Sequence, residues 1–183
     1  GEYGKNLGVV QLTLDENGNS KLVDYKLIPV DETVPADSRV AAMVENFKIN
    51  VENDYLSKYN VTFDEVLVKN SYKFDSVKEV YATQHESALC NIFSDAYKKA
   101  VEDATGETVD MAVTAAGVIR ETLPVGDVTV SDVFNAASLG VGTEGEIVSV
   151  YLTGKELKSV MEIDASVQPL MSNAQLFCSG VEY

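Results

Sequence analysis

The sequence predicts an α+β fold, and three observations carry that prediction. Stretches with the two-residue period of strands and stretches with the three-to-four-residue period of helices both occur, without the repeating β-α-β rhythm of a doubly wound sheet. Thr-x-x-Glu pairs stand at the head of two helical stretches, where a hydroxyl and a carboxylate satisfy the first free backbone donors. The 183 residues, 45% of them hydrophobic, suffice for one sizeable core, or for a smaller domain with an appendage.

"LGVVQLTLDENGNSKLVDYKLIPV" alternates apolar and polar residues on both sides of "DENGNS", whose Asn-Gly favours a tight turn. This predicts a β-hairpin with strands near 7–14 and 21–29. From Asp37 to about Tyr59, Val40, Val44, Phe47, Val51 and Tyr55 recur three or four apart and predict a long helix with one apolar stripe. "VTFDEVLVKNSYKFDSVKEVY" reads as short strand-like pieces without a clear period. Thr83 and Glu86 then form a capping-box pattern ahead of a helix whose apolar face runs from Leu89 through Phe93 and Tyr97 to Ala104, with Gly106 as its stop.

"TVDMAVTAA" is short, apolar and rich in small and β-branched residues, as buried strands are. Ser131 is the expected cap of a short helix "DVFNAAS", and "LGVGTEG" is a glycine-rich connector. "EIVSVYL" reads as a strand, Thr153 and Glu156 as a capping box before the helix "LKSVMEI", and "AQLFCSGVEY" as a last strand.

Fourteen basic against twenty-nine acidic residues give a net charge of −15, a surface that repels phosphate backbones and disfavours a general nucleic-acid role. No apolar run is long enough to cross a bilayer. Cys90 and Cys178 have no metal spacing and read as two buried reduced thiols. His85 is the single histidine, which excludes the usual zinc sets, and it reads as a solvated first-turn residue. The loop "LGVGTEG" lacks the following helix that would aim amides at a phosphate, and no Asp-x-Asp-x-Asp-Gly order marks a calcium loop. Asn60 opens the sequon "NVT", which matters only in a glycosylating host.

Arg120 is one of two arginines, and it follows a predicted strand ending in Ala115, Ala116 and Gly117. Small residues there leave the backbone open to close approach, and a guanidinium at the rim could fork onto a phosphate or carboxylate. Equally, Arg120 could be a surface arginine paired with Glu121 or another of the many acids. Arg39 reads as solvated.

Four stretches taken together resemble the 5′-nucleotidase family, exported metallophosphoesterases that include UDP-sugar hydrolase. They are "ESALCNIFSDA", "AAGVIRETLPVGDVTVSDVF", "SLGVG" and "VYLTGKEL". The family's C-terminal domain has a helix Glu-x-x-x-(Gly)-Asn-x-x-x-Asp-Ala, then Asn-Gly-Gly-Gly-Ile-Arg, Pro-x-Gly-x-(Ile/Val)-Thr, a Pro-Phe-Gly turn and Leu-Thr-Gly-x-x-Leu, in the same order. The resemblance implies a 5′-nucleotidase C-terminal-domain-like arrangement of mixed sheets and packed helices over residues 61–183, truncated at its C-terminal end. Residues 1–32 would be the hairpin tail of an N-terminal metallophosphoesterase domain, and 33–60 the linker helix.

Carried over position by position, the resemblance makes Arg120 the contact to the phosphate-ribose portion of a nucleotide or related phosphate ester, and Gly117 one of the family's three glycines. Ala115 stands where the family has a base-reading asparagine, Val118 replaces a glycine, and Leu139 stands at the base-stacking phenylalanine. Thr83 falls about where another substrate arginine is often found, although the capping box accounts for it. The family's second stacking phenylalanine and ribose-binding aspartate lie beyond Tyr183. Two divalent metal ions would sit in the N-terminal catalytic domain, outside these residues. No cofactor and no catalytic residue are expected within this chain, so hydrolysis would need the full-length protein, placed outside the cell, on its surface or in a periplasm. The alternative is a diverged, non-catalytic module for a non-nucleotide ligand or a protein partner.

Overall fold

The computed structural model describes residues 4–82, 85–139 and 146–181. The chain divides into two compact units, Gly1–Val51 and Glu52–Tyr183.

In the first unit β1 (Asn6–Leu14) and β2 (Ser20–Pro29) pair antiparallel. The register sets Val10 opposite Tyr25, Leu12 opposite Leu22 and Gly8 opposite Leu27, and on the other face Val9 opposite Lys26, Gln11 opposite Asp24 and Thr13 opposite Lys21. Period-two alternation thus yields one apolar and one largely polar face. An irregularity after Gln11 leaves Val23 as the extra residue. The connection is looser than a two-residue turn. Asp15 accepts the N–H groups of Asn17 and Asn19 at 2.9 and 2.8 Å, and only Gly18 takes a positive φ, +79°. The carboxylate organises the turn, so Asn17 need not leave the ordinary backbone region.

Asp37 starts the next element, its side chain accepting from Arg39 and Val40 at 2.9 and 3.2 Å. The resulting helix α1 (Ser38–Asp54) stops short of the expected Tyr59. A 3-10 turn, Leu56–Tyr59, follows it and closes on Asn60, whose φ of 55° is left-handed. Val40, Val44 and Phe47 of the predicted stripe are exposed.

The second unit holds the core. β3 (Val66–Asn70) is a strand, as expected, but the end of that ambiguous stretch is helical: α2 (Val77–Ala82). Ser76 and Glu79 account for it, since the Glu79 carboxylate accepts from the Ser76 N–H and hydroxyl at 2.8 and 2.7 Å. The helix α3 (Ala88–Thr105) runs to Gly106, whose φ of +74° ends it as predicted. Thr83 of the expected capping box lies outside the described residues. Ser87 occupies the N-cap without capping, because its hydroxyl donates to Asp75 at 3.1 Å, and Glu86 accepts instead from the Asn91 amide.

Next come β4 (Ala112–Ala115), a 3-10 turn at Ala116–Val118, and β5 (Gly126–Thr129), which pairs antiparallel with β3. α4 (Val130–Ala136) is capped by Thr129 rather than by Ser131: Thr129 and Asp132 form the reciprocal box, two residues earlier than expected. Residues 140–145 of the glycine-rich connector lie outside the described residues. "EIVSVYL" is not a strand. Its residues form no ladder with any strand among the described residues, and Val148, Val150 and Tyr151 are 75, 70 and 93% exposed. β-propensity without a neighbouring edge to pair with does not make a strand.

The Thr153–Glu156 box is present and starts α5 (Gly154–Val167). A 3-10 turn at Ser172–Ala174 leads into β6 (Leu176–Ser179), antiparallel to β4. Gly180 ends β6 with φ +89°, and a Cβ there would lie 2.1 Å from the Asp110 carbonyl oxygen. The α+β class stands, built from three two-stranded antiparallel sheets among the described residues.

α3 packs on β4 and β6. Leu89, Cys90 and Phe93 of α3 join Val80, Ala116, Ile119, Leu123, Val128, Ala136 and Phe177 in one buried cluster. Ser94, fully buried in α3, donates to the Phe177 carbonyl at 2.9 Å and so joins helix to strand with its polar group satisfied. No helix among the described residues is long and apolar enough to cross a membrane.

Candidate functional site

Thr114 and Ala115 end β4, and the chain then folds into the 3-10 turn at Ala116–Val118. Two backbone bonds close this turn, from Ala116 N–H to Gln175 O at 2.9 Å and from Ile119 N–H to Ala116 O at 3.1 Å. Ala116 and Ile119 are buried in the core, Val118 packs partly buried against it, and Ala115 and Gly117 are half-buried. A Cβ on Gly117 would lie 2.8 Å from the Asn173 carbonyl oxygen. At this glycine the close approach is therefore made by the protein's own turn at Ser172–Ala174. The sequence carried no signal for that contact, because Asn173 lies far along the chain.

Arg120 emerges exposed from this framework. The peptide that precedes its Cα is held at both ends: the Ile119 carbonyl accepts the Tyr81 hydroxyl at 3.2 Å, and the Arg120 N–H donates to Ala136 O at 2.8 Å. Its guanidinium has no hydrogen-bond or ion-pair partner among the described residues. Glu121, the nearest acid in sequence, accepts the Thr122 N–H at 3.0 Å. The Thr122 hydroxyl is buried and makes no hydrogen bond among the described residues.

The bond to Ala136 ties the Arg120 backbone to the last turn of α4, three residues before Leu139. Leu139 is 49% exposed. The structure thus gathers Ala115, Gly117, Val118 and Arg120 on one turn and sets the α4 exit that leads to Leu139 beside it. Sequence reading missed Tyr81 because α2 was not recognised; Ser76-x-x-Glu79 was the available signal.

Elsewhere, His85 lies 3.6 Å from Asp75, both partly exposed. Cys90 and Cys178 form no disulfide with each other, Cys90 being buried and Cys178 half-buried, and burial pushes the Cys90 thiol up to about 11. That leaves Cys90 a poor nucleophile at neutral pH. No group of three or more His, Cys, Asp or Glu side chains able to hold a metal occurs among the described residues. The site can offer an anion a guanidinium at the rim of a hydrogen-bonded turn.

Residues 68–183 match the family model for the 5′-nucleotidase C-terminal domain. The chain belongs to that family. It is 26% identical over 184 residues to the trifunctional nucleotide phosphoesterase protein YfkN of Bacillus subtilis, covering all of this chain and 12% of that protein. Its fold is similar to the crystal structure of a 5′-nucleotidase precursor from Thermus thermophilus, with a TM-score of 0.58 and 21% identity over 98% of this chain and 32% of the other. The chain thus spans a small part of its curated relative and about a third of the solved one.

Proposed function

We propose that the chain grips the phosphate-ribose portion of a nucleotide or related phosphate ester through Arg120 and delivers it to an N-terminal metallophosphoesterase domain of the same protein. Two divalent ions in that domain would activate the attacking water, and this chain supplies binding and orientation. Such a protein would act outside the cell, at its surface or in a periplasm, where the 5′-nucleotidases it resembles work.

One observation carries the reading. In a chain of net charge −15, an arginine stands without an acidic partner among the described residues, on a turn closed from several sides. A guanidinium that can fork onto an anion, rooted in a backbone held by two hydrogen bonds, suits a ligand phosphate.

The base end differs. Ala115 brings no amide to a base edge, and Leu139 brings no aromatic face. This favours a second reading, a diverged module whose ligand is an anion other than a nucleotide. Both readings are tested by titrating the chain with 5′-AMP, adenosine and inorganic phosphate, followed by amide chemical shifts. The first expects 5′-AMP to bind more tightly than phosphate, and Arg120→Ala to weaken it by roughly tenfold or more. Phosphate binding as tightly as 5′-AMP selects the second. An unchanged 5′-AMP affinity in Arg120→Ala removes Arg120 from the site.

A further inference from the structure

We propose that Tyr81 is a positioning residue for Arg120, and that its hydroxyl contributes to anion affinity without touching the anion. The inference rests on the reading of Arg120 as the anion contact and names the device that aims it.

Ile119 C=O and Arg120 N–H belong to a single peptide group. Being planar and trans, that group points its oxygen and its hydrogen in opposite directions. Here each is engaged by a different element: the oxygen takes the Tyr81 hydroxyl of α2, and the N–H donates to Ala136 O at the end of α4. A peptide plane pinned on both sides resists rocking, and its orientation sets the direction in which the next Cα sends its side chain. The side chain in question is Arg120, exposed and without a partner among the described residues.

The neighbouring chemistry separates this role from ordinary packing. The Tyr81 ring packs against the core, where a phenylalanine ring would pack as well. Only the hydroxyl reaches the Ile119 carbonyl. Ile119 itself is 1% exposed, so its side chain is anchored without that bond. What the hydroxyl adds is control of the peptide that leads to Arg120. A long, flexible side chain binds an anion more tightly when its root is already fixed, because less freedom is lost on binding.

The test is a double-mutant cycle in this chain, with 5′-AMP as probe and adenosine as the phosphate-free control, read by amide chemical shifts. Tyr81→Phe should weaken 5′-AMP about fivefold, leave the adenosine response unchanged and speed solvent exchange of the Arg120 amide. In an Arg120→Ala background the same substitution should cost nothing more, since there is no guanidinium left to aim. A merely structural role would weaken binding equally in both backgrounds, and that result overturns the proposal. So does an unchanged 5′-AMP affinity in Tyr81→Phe while Arg120→Ala is impaired, which leaves the anion reading intact. If Arg120→Ala binds as the parent does, or the parent chain does not respond to 5′-AMP, the anion reading falls and this inference with it.

Discussion

Residues of the same kind behave in opposite ways in the two units. Leu12, Leu22, Leu27 and Phe47 of the first unit are each more than half exposed, while Leu89, Ile119, Val80 and Val128 of the second are at most 2% exposed. Alternation in the hairpin is no poorer than the periodicity in α3. The difference is one of layers: β1 and β2 form a two-stranded sheet with both faces exposed, whereas β4 and β6 carry α3 against one face. A pattern names the face that wants burial, and only a second layer buries it.

The largest test of this contrast is truncation. Leu89→Ala should cost about 3–5 kcal/mol of unfolding free energy, as large-to-small changes in closed cores do. Leu12→Ala in the hairpin should stay within about 0.5 kcal/mol, since it opens no cavity. Urea unfolding followed by circular dichroism measures both, and a Leu12→Ala cost comparable to that of Leu89→Ala would mean that the hairpin face is covered in solution.

Two of the glycines with positive φ give a smaller effect of the same kind. Gly180 (φ +89°) would push a Cβ to 2.1 Å from Asp110 O, whereas Gly18 (φ +79°) has nothing within 4 Å. Gly18→Ala should cost about 1–2 kcal/mol, the backbone term alone. Gly180→Ala should cost about 1–3 kcal/mol more, because the backbone of a packed unit must also shift. Equal melting-temperature losses would show that β6 ends in a looser setting than its contacts indicate.

The smallest effect concerns acid. The Thr153 side chain, and then its backbone N–H, hold the Glu156 carboxyl below its usual 4.5, and the Asn19 side chain and backbone do the same for Asp15 in the hairpin turn. Each group's folded value is depressed, so its stabilisation is fully present above the unfolded value and is lost as pH falls through the folded one. Glu156→Gln should therefore flatten the melting-temperature loss of the second unit below about pH 4. An unaltered acid limb would mean that the box stays closed without the charge.

Local chemistry was the legible part of the fold. The hairpin, the start of α1, the Gly106 stop and the Thr153–Glu156 box depend on residues within a few positions of one another, and each is where the sequence expects it. Of the candidate site, the sequence showed Arg120 following a run of small residues, but not what makes the close approach at Gly117. Tyr81 and Asn173 could not be read, because they meet the turn from elements remote in sequence. The strand expected at "EIVSVYL" failed for a related reason: its composition suits a ladder, but strand formation needs a partner edge that composition does not supply.

The sequence alone therefore determined the α+β class, the order of most elements and the likeness to the 5′-nucleotidase family, because propensity, capping and motif order are properties of short, contiguous segments. Tertiary structure decided which apolar faces are buried, why residue 117 is glycine, and how the peptide before Arg120 is held. Each of those is a contact between groups far apart in the chain. Its existence depends on where the backbone brings two surfaces within van der Waals or hydrogen-bond reach, and no local pattern encodes that distance.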